Sequence, residues 1–166
     1  LGKFFLINSY KIVYKRFRNM HLKKIKFFVF LFLFLNTFNI SYSSDLKFGI
    51  VGIKEKDVVF KVEIAETQEK RKEGLMFRTE LDEDQGMLFI FPYPDLVNIW
   101  MKNTFLSLDI IFISEDNIIL DIVKEALPLS EKIYTSKLVT KYILEINSGL
   151  IKKLDINIGD KVNIEY

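Results

Sequence analysis

The apolar residues of this chain come in runs of strand length, each closed by turn residues before a helix of ordinary length could form. In "VVFKVEIA" (58–65), Phe60, Val62 and Ile64 alternate with Lys61 and Glu63, the period-two pattern of a strand with one wet face. "GMLFIF" (86–91), "LDIIFI" (108–113) and "NIILDIV" (117–123) are denser, as strands buried on both faces are. "SEDN" (114–117) separates the last two and predicts a hairpin turn. "YILEIN" (142–147) and "KVNIEY" (161–166), the latter entered through Gly159 and Asp160, read as further strands. Helix is confined to "QEKRKE" (68–73), with Thr67 as N-cap and Gly74 at its end, and to a short turn in "LIKKL" (150–154). This succession predicts a mainly β fold, a compact sandwich or partly closed barrel with one or two short helices.

Charge divides the chain in two. Residues 1–44 carry eight Lys or Arg and no Asp or Glu, which leaves 16 basic against 22 acidic residues in 45–166, a formal charge of −6. The first part has the pattern of an export signal. Met20 is followed by Lys23, Lys24 and Lys26, then by the apolar run "FFVFLFLFL" (27–35), and "SYSS" (41–44) offers small residues for cleavage. The apolar run is far shorter than the roughly 20 residues of a membrane-spanning helix. The expected organisation is a leader over 1–44, with residues upstream of Met20 a misassigned start, and a single β-rich domain over 45–166. Its expected location is the periplasm or another extracytoplasmic compartment, with an uncleaved N-terminal anchor as the competing reading. No membrane span is expected in the mature domain.

Cysteine is absent and the one histidine, His21, lies in the leader. Zinc sites are built mostly from those two residue types, and His-assisted serine or cysteine hydrolases need the imidazole. Neither metal nor cofactor is therefore expected, and acid–base chemistry falls to carboxylates, Lys, Tyr or the backbone. Nucleic acid is not an expected partner either, because the domain lacks the concentrated basic patch that phosphate binding requires.

Four phrases in order, "RKEGLMFR" (71–78), "GMLFIF" (86–91), "WMKNTFLSLDIIFI" (100–113) and "LEINSG" (144–149), resemble the bacterial and archaeal family labelled domain of unknown function 192. The resemblance spans about 58–162. It implies a small β-rich domain, often behind a signal peptide, and no settled activity. That family usually has proline two residues before the aspartate of the third phrase, whereas this chain has Ser107. Serine in place of proline is expected to leave the turn freer.

Asp109 is the conspicuous residue, a carboxylate between Leu108 and Ile110 in an apolar run. Buried without a partner it would be costly, and a guanidinium from Arg71 or Arg78 is the expected partner. Strand alternation puts Asp109, Ile111 and Ile113 on one face, and Leu108, Ile110 and Phe112 on the other. With Trp100 as an apolar wall and Lys102 and Asn103 close in sequence, these residues form a candidate binding site for a small polar or anionic ligand. The competing structural reading makes Arg and Asp a buried clip. Met76, Met87 and Met101 could hold Cu(I), but methionine more often fills core gaps. Glu63, Asp109 and Glu145 are the carboxylates available for acid–base catalysis. Alternation sets Glu63 on the solvent side and makes Glu145 the better candidate for burial.

The favoured reading is a ligand-binding or accessory module of the cell envelope. A carboxylate and Arg-dependent hydrolase or lyase is the first alternative, a structural or protein-partner domain the second. The sequence leaves the oligomeric state open.

Overall fold

The computed structural model describes residues 46–166, so the leader reading for residues 1–44 lies outside the described residues. Seven strands form one curled sheet, a half-barrel. In chain order these are β1 (Phe48–Ile53), β2 (Val58–Ala65), β3 (Gln85–Asp95), β5 (Leu108–Ile113), β6 (Ile119–Ala126), β8 (Thr140–Asn147) and β9 (Val162–Glu165). Across the sheet they run β6-β5-β8-β3-β2-β1-β9. A two-stranded ribbon of β4 (Asn98–Ile99) and β7 (Tyr134–Thr135) lies apart. Of the two expected architectures, the partly closed barrel is the one formed. Its edges approach at one end, where Ile118 bridges Lys161 and the amides of Ile119 and Val162 donate to the carbonyls of Asp160 and Asn117.

Most pairings are antiparallel, including the β5–β6 hairpin over Ser114–Asn117. β2 and β3 pair in parallel, which requires a crossover. α1 (Gln68–Glu73) supplies it. Thr67 caps that helix with its hydroxyl accepting from the Lys70 amide, and Gly74 ends it at φ 51°. A Cβ on Gly74 would also come within 3.1 Å of the Phe89 ring, so the helix end lies directly on β3. Gly86 answers a similar demand: a Cβ there would sit 2.6 Å from the Glu145 carbonyl, and only glycine lets β3 and β8 approach so closely.

Apolar side chains fill both faces of the sheet. One face gathers Phe60, Val62, Leu88, Ile111, Ile113, Leu144 and Ile146, closed by Leu150 and Ile151 of α2 (Leu150–Lys153). The other gathers Met87, Phe89, Leu108, Ile110, Phe112 and Ile143 beneath Leu75, Val97 and Met101. β5 is buried along its whole length because both faces are covered, as its unbroken apolar run implies. Met87 and Met101 are thus core members. Each of these fully buried aliphatic side chains contributes roughly 1.5–3 kcal/mol relative to exposure.

Candidate functional site

Asp109 faces Ile111 and Ile113, as alternation requires, and is 0% exposed. Its expected arginine partner is absent. One carboxylate oxygen, Oδ1, accepts from the Glu125 amide at 2.8 Å, and Oδ2 accepts from the Ile151 amide at 2.9 Å. The local backbone explains both bonds. The β5–β6 register slips between Leu108 and Ile110, and Glu125 adopts φ 54° there, so the bulge leaves an amide unpaired in the ladder. At the other oxygen, the α2 N-cap is Gly149, which has no side chain to offer, and Asp109 supplies the missing cap from a neighbouring strand. Two backbone amides stabilise the charge that was expected to need a guanidinium.

Both arginines are engaged elsewhere. Arg78 forms a two-pronged pair with Glu63, Nη1 to Oε1 and Nη2 to Oε2 at 2.6 Å. Glu63 lies on the face opposite Phe60, Val62 and Ile64, as expected, yet it is partly buried under that arginine. Arg71 donates through Nη1 to the carbonyl of Glu66 and, at 2.8 Å, to that of Ile90. Its guanidinium also lies 5.3 Å from the centre of the Phe91 ring. Asn103 turns the chain at φ 56°, takes the Phe77 amide on its carbonyl, and donates from its side chain to the Met76 sulfur at 3.9 Å. It joins the third phrase to the first. The Ser107 turn is not loose, since the Ser107 hydroxyl donates to the Ala126 carbonyl at 3.2 Å and its own carbonyl takes the Ser148 amide.

Trp100 and Arg71 do come together, at a recess on the face away from Asp109. This hollow of about 250 Å³, open mouth included, runs between the end of α1 and the loop around Trp100 and Thr104. Lys72, Glu73, Gly74, Leu75 and Met76 form one wall, Ile99, Trp100 and Thr104 another, and Phe89 and Glu145 come from the sheet. Each of the four phrases quoted above contributes to this lining. Trp100 is 41% exposed, and the Lys102 ammonium lies over its ring, 5.1 Å from the centre. The six residues expected at one site are therefore divided. Arg71 and Trp100 line the recess, Lys102 stands over Trp100, Asn103 and Arg78 brace the neighbouring chain, and Asp109 is on the other face.

Glu145 is the residue that composition alone undervalued. It sits in mid-sheet on β8, opposite Met87 of β3 and Ile110 of β5, and is 4% exposed. No group among the described residues donates a hydrogen bond to its carboxyl or forms an ion pair with it. Burial pushes its pKa up from 4.5 to about 8, because a charge in a low-dielectric surround loses hydration that nothing replaces. At neutral pH it is largely a neutral acid. Its sequence signal was an acid inside the apolar run "YILEIN", the same oddity that drew attention to Asp109.

Comparison with known proteins bears out the family resemblance. Residues 50–164 match the DUF192 family, described as "Uncharacterized ACR". A UPF0127 protein of Pyrococcus abyssi is 31% identical over 118 residues, covering 69% of this chain and 96% of that protein. A protein of unknown function from Novosphingobium aromaticivorans has a solved structure that superposes with a TM-score of 0.67 at 39% identity, covering 71% of this chain and 84% of that one. The structure of a Sinorhizobium meliloti protein gives a TM-score of 0.66 at 36% identity, covering 72% and 92%. The chain belongs to the DUF192 (UPF0127) family of uncharacterised proteins.

Proposed function

We propose that the domain binds a small polar ligand in the recess beneath α1, with Glu145 as the anchor at its floor and Trp100 and Arg71 at its rim. The observation that carries this reading is Glu145 itself. A carboxyl that is 4% exposed and has no partner among the described residues is destabilising to the fold. Perturbed acids of this kind in a cleft are where functional sites are found. The recess is narrow and opens to solvent, so it suits a few heavy atoms or one end of a longer molecule.

The recess also replaces the expected site with a related one. It keeps Arg71 and Trp100, adds Glu145, and leaves Asp109 to the fold. We place the domain outside the cytoplasm as an accessory or binding module of the cell envelope, on the strength of the basic and apolar leader pattern from Met20 to Ser44. Among the described residues no helix is long and apolar enough to cross a membrane.

A fragment screen read by amide NMR tests the binding reading. Small amines, acids, alcohols and sugars are added singly, and the expected result is that at least one class shifts the amides of Gly74, Leu75, Trp100 and Glu145. Trp100→Ala is expected to weaken that response about tenfold, in line with the 1–2 kcal/mol of a rim aromatic. A screen in which no fragment moves these amides would contradict the reading.

One feature favours a second reading, a protein-partner surface. Phe77 and Phe105 are exposed and meet edge to face at 6.4 Å, and Leu129, also exposed, is tied to the same loop through its amide on the Thr104 carbonyl. Contiguous exposed apolar groups of this sort mark contact surfaces. That reading predicts no response from the recess in the same screen.

A further inference from the structure

We propose that the recess takes a positively charged donor group, a primary ammonium or a group of similar size, with the Glu145 carboxylate as its counter-ion; this rests on the ligand-binding reading above. The floor supplies the first argument. Glu145 is flanked across the sheet by Met87 and Ile110, whose side chains cannot donate to it, so its carboxylate form is left with acceptor oxygens and no donor to meet them. A ligand rich in N–H donors completes that ionised form.

The charged groups around the floor carry both signs. From the α1 side these are Arg71, Lys72 and Glu73; the Trp100 loop brings the Lys102 ammonium over the Trp100 ring, and the strands contribute Glu145 to the lining. Arg71 holds Nη1 on two carbonyls and lies over Phe91, which ties its guanidinium to the rim. Lys72 is exposed, where solvent and salt weaken its effect. An anion would enter past Glu73 and gain the Glu145 O–H at the floor. A cation meets the Glu73 carboxylate at the wall and, once Glu145 gives up its proton, a second carboxylate at the floor.

Binding has a proton balance that distinguishes this ligand from others. In the empty recess at neutral pH Glu145 holds its proton. When an ammonium arrives with its own charge, the ion pair favours the carboxylate, and the Glu145 proton leaves to solvent. One proton is therefore released for each ammonium bound, with no bond made or broken in the ligand. A neutral or anionic acceptor keeps that proton in place, because only the protonated acid can donate to it.

The test uses the full chain with glutamate carboxyl carbons labelled by ¹³C, at pH 6.5, titrated separately with methylammonium chloride and sodium acetate. The expected result is that methylammonium moves the Glu145 carboxyl signal to its ionised position and lowers its titration midpoint from near 8 to below 6.5, while acetate does neither. Glu145→Gln should weaken the methylammonium response of the Gly74 and Trp100 amides at least tenfold. If acetate moves these amides and methylammonium does not, the inference is overturned while the recess remains a binding site. If methylammonium binds with Glu145 still protonated, the counter-ion role is overturned. If neither probe nor any fragment moves the recess, the inference and the binding reading fall together.

Discussion

Asp109→Ala is expected to cost the domain about 3–5 kcal/mol, enough to unfold much of a marginally stable population at 37 °C. The side chain is fully buried and both of its oxygens are committed, one to the bulge amide of Glu125 and one to the α2 amide of Ile151. Its removal leaves the buried Ile151 N–H and the part-buried Glu125 N–H without an acceptor, at about 1–3 kcal/mol each when fully buried, and a small cavity beside Ile111 and Ile113. Asp109→Asn keeps the shape and one acceptor but turns an NH₂ toward an N–H donor, so about 2–3 kcal/mol is expected. Urea unfolding of the three proteins at pH 7 checks the order wild type, Asn, Ala. Ligand responses at the recess should survive in whatever fraction of Asp109→Asn remains folded, since the two sites occupy opposite faces. Equal stability of all three proteins would contradict the structural assignment of Asp109.

Glu145→Gln is expected to do the opposite and stabilise the domain at alkaline pH. The sign follows from the direction of the shift. Glu145 has a folded-state pKa raised from 4.5 to about 8, so between those values the folded protein holds a proton that the unfolded chain has lost. Its contribution is intact below about pH 4.5, declines as pH rises, and is fully lost above pH 8. At about 1.4 kcal/mol for each pH unit traversed, the loss is on the order of 3–5 kcal/mol. The glutamine variant lacks this slope. Wild type and variant should unfold at similar temperatures at pH 4, and the variant roughly 8–15 °C higher at pH 8.5. A residue whose replacement stabilises the fold is retained for another reason, which is the signature of a functional position. Parallel melting curves of the two proteins from pH 4 to 9 would show that Glu145 is solvated or paired.

The fold was legible where pattern and turn chemistry agreed. Thr67 and Gly74 bracket α1 as read, the Ser114–Asn117 turn joins β5 to β6, and the alternation of β5 assigned each side chain to its face. β1 was missed because Gly49 and Gly52 dilute "FGIVGI", although Gly49 is demanded by the approach of Glu165, whose carbonyl would lie 2.5 Å from a Cβ there. The β4–β7 ribbon is too short to carry a period.

The site was half legible, for a reason that lies in how partners are found. An acid in an apolar run announces a need for stabilisation, and sequence gives only side chains as candidates to meet it. For Asp109 the answer was two backbone amides, one freed by a bulge and one by a helix start, and neither is visible in residue identities. For Glu145 the described fold supplies no partner, which only the packed sheet could reveal. Arg71 and Trp100 were found because their phrases are unusual. Their convergence on Glu145 depends on the strand order β5-β8-β3 and on the crossover that lays α1 over β3.

The state of one carboxyl decides the role of the recess, and its ¹³C signal can be followed directly from pH 3 to pH 10 in the ligand-free protein, with Glu145→Gln identifying the resonance. A midpoint near 8 is the result predicted for a buried acid that has no partner among the described residues. A midpoint in the ordinary carboxylate range, near 4.5, would contradict it and remove the anchor from the proposed site.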